Sequence, residues 1–291
     1  MSNVVSFEAF EDEREIDVYQ TGLPRVVLEG QDDVRLFRTY WFPHMLDSFE
    51  FVEAGDIVQG GGCTALRSAV LQSRQDNIPA FGFADRDRIF RLQEWELLFM
   101  TDDDAFKAAT LNDDFYVTLR WEVEAYLLEP DLLPSWVRSY RKPPGSPAQC
   151  AAAVAQAVEE CEHLLRTHGF FAAAHTCGIA TEPQHFSDKK CADLADACAT
   201  ALEMLPEGAE TAQAVDPLVE AVLEAAPLGS EARLRSLLRF VDTKRLLYRL
   251  ERRYRAKPDV RWFLAELMLQ GDRRPAEIEV RLVELRDQLA A

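Results

Sequence analysis

The feature that most constrains this chain is a run of four short apolar segments in its first half, separated by stretches of helical spacing. RVVLE (25–29) reads as a buried strand. It is followed by Val34, Phe37 and Trp41 at helical intervals. SFEFVEA (48–54) alternates Phe49 and Phe51 as a strand does. GGGCTALRSAVLQSR opens on glycines and places Cys63, Leu66 and Val70 on one helical face. IPAFGFAD (78–85) is again strand-like, and a fourth strand begins near Phe115 and turns near Tyr126. This β-α-β-α-β order predicts an α/β fold: a parallel sheet with flanking helices.

Beyond PPGSP (143–147), which reads as a loop and a boundary, strand signals vanish. The spacing predicts helices near 148–167, 189–204, 212–226, 230–255, 259–270 and 275–290. The organisation expected is an acidic leader over 1–23, an α/β domain over 24–142 and a mainly helical region over 143–291.

Acids stand at or after the ends of three of the predicted strands. Glu29 ends the first, Asp85 and Asp87 follow the third, and Glu122 and Glu124 lie late in RWEVEAYLL, on one face if extended. In parallel α/β sheets ligands bind beyond the carboxyl ends of the strands. Two carboxylates about 4 Å apart repel by about 4 kcal/mol at an effective dielectric near ~20, so a convergence of such groups needs a cation. Oxygen ligands of this kind suit Mg²⁺ or Mn²⁺. The plainer alternative is that Asp32 and Asp87 cap helices or turns.

The net charge is −18, yet residues 233–261 hold 11 Lys and Arg against Asp242, Glu251 and Asp259. That segment is either a solvated helix face paired with acidic neighbours or a local grip on phosphates, with Arg245, Arg249, Arg252 and Arg253 as candidate contacts. No apolar run reaches the length of a membrane span, and the acidic N-terminal stretch lacks the pattern of a signal peptide, so a cytoplasmic protein is expected, its six cysteines reduced.

VVLEGQDDVRLF followed by FGFADRD resembles the Toprim domain of topoisomerases, primases and OLD-type nucleases. Glu29, Gly30 and Asp33 match its strand-terminal EGxxD turn, and Asp85 and Asp87 match its later DxD. WEVEAYLL is similar to an E-N-Y-L-L segment of a bacterial Toprim subfamily found beside ATPases in phage-defence operons, with Ala125 in place of asparagine. VDTKRLLYRL resembles that subfamily's G-K-x-L-L segment, with Thr243 in place of glycine. The nearest comparison is the Toprim effector of PARIS-type anti-phage systems. The Toprim likeness covers about residues 24–130.

The resemblance implies Mg²⁺- or Mn²⁺-dependent cleavage of nucleic acid phosphodiesters, tRNA being favoured over DNA. Glu29 would bind metal or act as general acid/base; Asp33, Asp85 and Asp87 would bind metal; Glu124 would complete the shell. Ile89 stands where some Toprim proteins carry a third acid, so a second metal would need Glu122 or Glu124. The resemblance also implies an ATPase sensor as partner, with a homodimer as the active form. The acidic leader, including Glu8, Glu11, Asp12, Glu13, Glu15 and Asp17, would dock on a basic partner surface.

Lys244 is expected to be catalytic as well. If 230–255 is one helix, Leu237, Phe240, Lys244 and Leu247 share a stripe, which puts a lysine among apolar residues. It either snorkels to solvent or stabilises charge on a phosphate in the transition state. Cys63 at the glycine-rich turn has no histidine near it in sequence, and tight packing explains the glycines better than nucleophilic catalysis does. Cys161, His163, His168, His175, Cys177, His185 and Cys191 fit no standard zinc spacing. Two rival functions remain open: a non-catalytic Toprim-like interaction subunit of an ATPase complex, and a haloacid dehalogenase-type phosphatase, whose DxD would follow the first strand.

Overall fold

The computed structural model describes residues 23–60, 63–139, 143–186, 189–256 and 260–289. The acidic leader, apart from Leu23, and the Cys63 side chain lie outside what is described. Four strands form one sheet: β1 (Arg25–Leu28), β2 (Glu50–Glu53), β3 (Ala80–Ala84) and β4 (Phe115–Val117), in the order β2-β1-β3-β4. β1 runs parallel to both β2 and β3, with Val26 opposite Phe51 on one side and Phe81 on the other. All four expected strands are present, and the chain is α/β.

The described chain divides into two compact units, and the division does not fall at 143–147. The first holds the sheet residues up to Ala84, the segment Asn112–Tyr116 and the C-terminal stretch from Ala276. The second holds Asp85–Leu111 and Val117–Pro275.

In the sheet unit, the side chains of Phe37, Phe42, Phe51 and Phe83 pack edge to face around Phe37, with centroids 5.3–5.7 Å apart. The stretch after β1 does not continue as one α-helix. Gln31–Arg35 is α-helical and Leu36–Trp41 is π-helical, which buries Leu36, Phe37, Tyr40 and Trp41 together. The helix Cys63–Gln75 packs on β1 and β3. Gly82 lets the helix approach closely, because a Cβ there would meet Leu66 and Phe115 at 3.1 Å. The helix Ala276–Leu289 closes this unit through Tyr116, which donates to Glu277 at 2.8 Å, and Arg281, which lies over the Phe81 ring.

The chain goes from β1 to β2 on one side and then to β3 on the other. The strand order therefore reverses between β1 and β3, the position where open α/β sheets bind ligands at their carboxyl edge. The next residues in the chain after those two strands are Glu29 and Asp85.

The second unit is helical. Ala153–Leu165 packs on Ser230–Leu237 and Thr243–Tyr254, and His168–Thr176 packs on Ala209–Ala225. Two expected helices are each broken. The 148–167 stretch divides at Ala152, and a separate helix, His168–Thr176, follows it. The 230–255 stretch stops at Leu237 and restarts at Thr243, where the Asp242 side chain accepts from the Arg245 N–H at 2.9 Å as an N-cap. Leu237, Phe240 and Lys244 therefore do not share one helical stripe. Among the described residues, no helix is long and apolar enough to cross a membrane.

A candidate metal and phosphate site in the helical unit

β3 is buried at all five positions, so the chain leaves it under tight constraint. Asp85 and Asp87 follow, and between them Arg86 is wholly buried. Its guanidinium donates to the carbonyls of Leu98, Met100 and Leu119 at 2.6–3.1 Å and lies over the Phe106 and Phe240 rings, 4.0 and 4.7 Å from their centroids. Arg86 thus fixes the turn that presents the two aspartates, and no sequence pattern singled it out.

That turn is stitched to the segment carrying the two glutamates. Asp85 Oδ1 accepts from the Val123 N–H at 3.0 Å, and the Asp87 N–H donates to the Trp121 carbonyl at 3.1 Å. Glu122 and Glu124 flank Val123. They do not share a face of an extended strand, because Glu122 is extended while Val123–Leu127 is a 3-10 helix. Both are nonetheless buried, at 4% and 3% exposure.

Cations approach these carboxylates from three directions. Lys244 Nζ lies 2.8 Å from Glu122 Oε1, and its side chain keeps 47% of its surface exposed. Arg91 bridges to Asp87 at 2.5 Å, and Arg261 lies 3.6 Å from Glu124. This pairing leaves Asp87 Oδ1, Glu122 Oε2 and Glu124 Oε2 buried with no hydrogen-bond partner among the described residues. Such oxygens are costly to bury and need an explanation.

The electrostatics agree. Burial raises the Glu122 carboxyl well above its ordinary pKa, against the pull of Lys244, and Glu124, Asp242 and Asp87 add to the rise. Burial also raises Asp87, against the lowering by Arg91. For Lys244 burial opposes the charge, but Glu122, Glu124 and Asp85 outweigh it and hold the ammonium above its ordinary pKa. Asp85, Asp87, Glu122, Glu124 and Lys244 therefore act on one another as one electrostatic cluster.

Other expected site residues fare differently. Glu29 sits after β1 at the reversal of strand order, in the sheet unit. Asp33, expected as a metal ligand, accepts from the Gly30 N–H at 3.1 Å and closes the first turn of its helix. The chain bends at Glu29 and Gly30, but Gly30 has ordinary extended backbone, so the turn does not demand glycine there. Lys244 reaches the acids, although the apolar stripe used to single it out does not exist.

The arginines of the basic segment are corrected most. Arg245 and Arg249 are buried and serve the protein's interior rather than a nucleic-acid surface. Arg245 binds Asp242 and the Glu182 carbonyl, and Arg249 binds Glu160 at 2.7 Å. Arg253 pairs with Glu159 and Glu160, while Arg252 is exposed. Pairing with acidic neighbours, the plainer reading, describes three of the four. Among the described residues, no three Cys or His ligand atoms gather from 161–191, and His168 is buried with Nδ1 3.2 Å from the Leu164 carbonyl. Cys150, Cys161, Cys177 and Cys198 are free thiols.

Comparison with protein-family models, curated proteins and solved structures returns no match.

Proposed function

We propose that this chain is a Mg²⁺- or Mn²⁺-dependent nuclease that hydrolyses nucleic acid phosphodiesters. The observation that carries the reading is the close pair of carboxylates on Asp85 and Asp87, the second with a buried oxygen that has no hydrogen-bond partner among the described residues, within electrostatic reach of the Lys244 ammonium. Hard, oxygen-only donors of this kind fit a small divalent cation, which would relieve the repulsion among them. Asp85 and Asp87, whose carboxylate oxygens lie within 4.8 Å of one another, would hold the ion, while Glu122 and Glu124 would keep the Lys244 and Arg261 cations beside it. Glu29, next in the chain after β1, would join as a ligand or as the general acid/base.

The ion, once bound, would polarise a phosphoryl oxygen and lower the pKa of a water. Lys244 retains exposure on one side while it holds Glu122 on the other, so its charge is available to a phosphate arriving from solvent. Resemblance to Toprim nucleases of phage defence supports the same chemistry. It adds tRNA as the favoured substrate, an ATPase sensor that restrains the activity, and a homodimer as the active form.

The test is cleavage of labelled tRNA, other single-stranded RNA and duplex DNA by the purified chain, with Mg²⁺, with Mn²⁺ and with EDTA. Cleavage should require the metal and disappear in Glu29→Gln and Asp87→Asn. Full activity in EDTA or in both variants would remove this reading.

A further inference from the structure

The helix Thr243–Tyr254 presents different chemistry on its two sides. Leu246, Leu247, Leu250 and Tyr254 are buried, and with them Arg245 and Arg249, whose guanidinium groups are taken up by Asp242 and Glu160. The other side carries Lys244, Tyr248 and Arg252, all exposed and spaced four apart, so they form one ridge along the helix. Arg255 follows at the C-cap and is exposed as well. Glu251, the helix's single acid, accepts from the Val260 N–H at 3.4 Å and pairs with none of them.

In a chain of net charge −18 such a ridge is unexpected. Arg253 is paired with Glu159 and Glu160, but Arg252 and Arg255 have no ion pair among the described residues. Arg255 also holds φ 50° and ψ 40°, the left-handed conformation in which helix ends favour glycine. Tyr248 is 44% exposed between the cations. The ridge begins at Lys244, whose ammonium lies 2.8 Å from Glu122 in the carboxylate cluster. At about 1.5 Å of rise per residue, Tyr248 stands about 6 Å and Arg252 about 12 Å further along the axis. The longer distance equals about three to four nucleotides of a strand with one phosphate per about 3.4 Å.

We infer that this face is a track for one unpaired strand of nucleic acid, running from the carboxylate cluster at Lys244 to Arg255. Arg252 and Arg255 hold phosphates, and Tyr248 stacks on a base between them and the scissile bond. The inference rests on the nuclease reading and deepens it by naming a single-stranded segment as what the site takes. Cations that follow the backbone, with an aromatic ring on which a base stacks, hold single strands without reading their sequence. A duplex keeps its base faces stacked inside and offers Tyr248 nothing. An acidic polypeptide satisfies the arginines and leaves the tyrosine ring unused.

The experiment is a fluorescence-anisotropy titration of the full chain with a short labelled oligouridine, an RNA duplex of equal length and a glutamate peptide of equal charge. EDTA is present throughout, so nothing is cleaved. The single strand should bind at least about fivefold more tightly than either alternative. Tyr248→Ala should weaken it at least about fivefold without changing its salt dependence, and Tyr248→Phe should restore it. Arg252→Gln should weaken it and lower the slope of log affinity against log salt by about 0.7, the share of one phosphate contact on a single strand. Both side chains are exposed, so the urea midpoint should hold in each variant. Absence of strand binding, or binding unchanged in either Tyr248→Ala or Arg252→Gln, overturns the inference. So does a duplex or a peptide that binds as well as the single strand, the peptide result making the face a dock for an acidic protein segment. Metal-dependent cleavage with binding unchanged in either variant would remove the track and leave the nuclease. Strand binding that both variants weaken, in a chain that cleaves nothing with any metal, would leave the track and remove the nuclease.

Discussion

Lys244 and Glu122, 122 residues apart in sequence, meet at 2.8 Å, and they are unequal partners: the lysine side chain is about half exposed, the glutamate almost wholly buried. The pair therefore stabilises the glutamate more than the lysine. Lys244→Met leaves Glu122 with neither oxygen hydrogen-bonded, at a cost of about 1–3 kcal/mol. Urea unfolding at pH 7.5 should show that loss, and Glu122→Gln in the Lys244→Met background should recover most of it. Turnover should fall at least about a hundredfold in Lys244→Met, as on losing a transition-state charge partner. Unchanged turnover would make Lys244 the keeper of a buried glutamate and nothing more.

Much of the sheet was legible because its strands are short apolar runs with acidic ends, and a buried parallel sheet permits little else. The broken helix at 238–242 was not. Leu237, Leu238, Phe240 and Val241 are all buried, so apolar periodicity runs straight through the break. The signal that marks it is Asp242 ahead of Thr-Lys-Arg-Leu-Leu, an N-cap residue at a helix start. Arg86 was illegible for another reason. An arginine between two aspartates reads as a surface charge, and only the carbonyls of Leu98, Met100 and Leu119, distant in sequence, show why it is buried. The paired arginines at 249 and 253 show the same limit: a local charge count cannot see Glu159 and Glu160, about ninety residues away.

Arg86 should be among the least replaceable residues of the helical unit. Arg86→Met removes the guanidinium from three carbonyls while keeping much of the stem, and Met100 keeps a second donor, Arg239 at 3.3 Å. With about 1–3 kcal/mol for each buried group left unsatisfied, a loss of at least about 2 kcal/mol is expected. Arg86→Lys cannot reproduce the planar fork and should rescue it only in part. Shifts of the urea midpoint measure both. A loss below about 1 kcal/mol in Arg86→Met would mean the turn holds its shape without the arginine.

Metal binding has a signature separate from activity. In EDTA, Glu124→Gln removes one buried negative charge from the cluster and should raise the melting temperature by a few degrees. The wild-type chain should gain stability on adding Mn²⁺, and Asp87→Asn should lose most of that gain. The gain should also shrink as pH falls through the raised pKa of Asp87, because protons then compete for the same oxygens. Wild-type protein indifferent to Mn²⁺ at every pH would argue against the carboxylates as ligands.

His168 gives the fold its own dependence on pH. Burial is the chief cause that lowers its pKa from 6.5 to about 4, so the folded protein keeps the ring neutral where the unfolded chain protonates it. Between those values the unfolded state binds the extra proton, and stability must fall as the pH falls. The slope from this group is at most about 1.4 kcal/mol per pH unit. It begins as pH drops through 6.5 and ends near 4, below which both states are protonated and no further loss comes from His168. Glu122 and Asp87 act in the opposite sense, because their raised folded pKa values favour the folded state as they take up protons. The separation is made by His168→Gln, which cannot titrate. Urea unfolding of both proteins from pH 7.5 to 4 should give curves that converge as the pH falls, the wild type losing its lead below 6.5. Parallel curves across that range would show that His168 carries the same charge in both states.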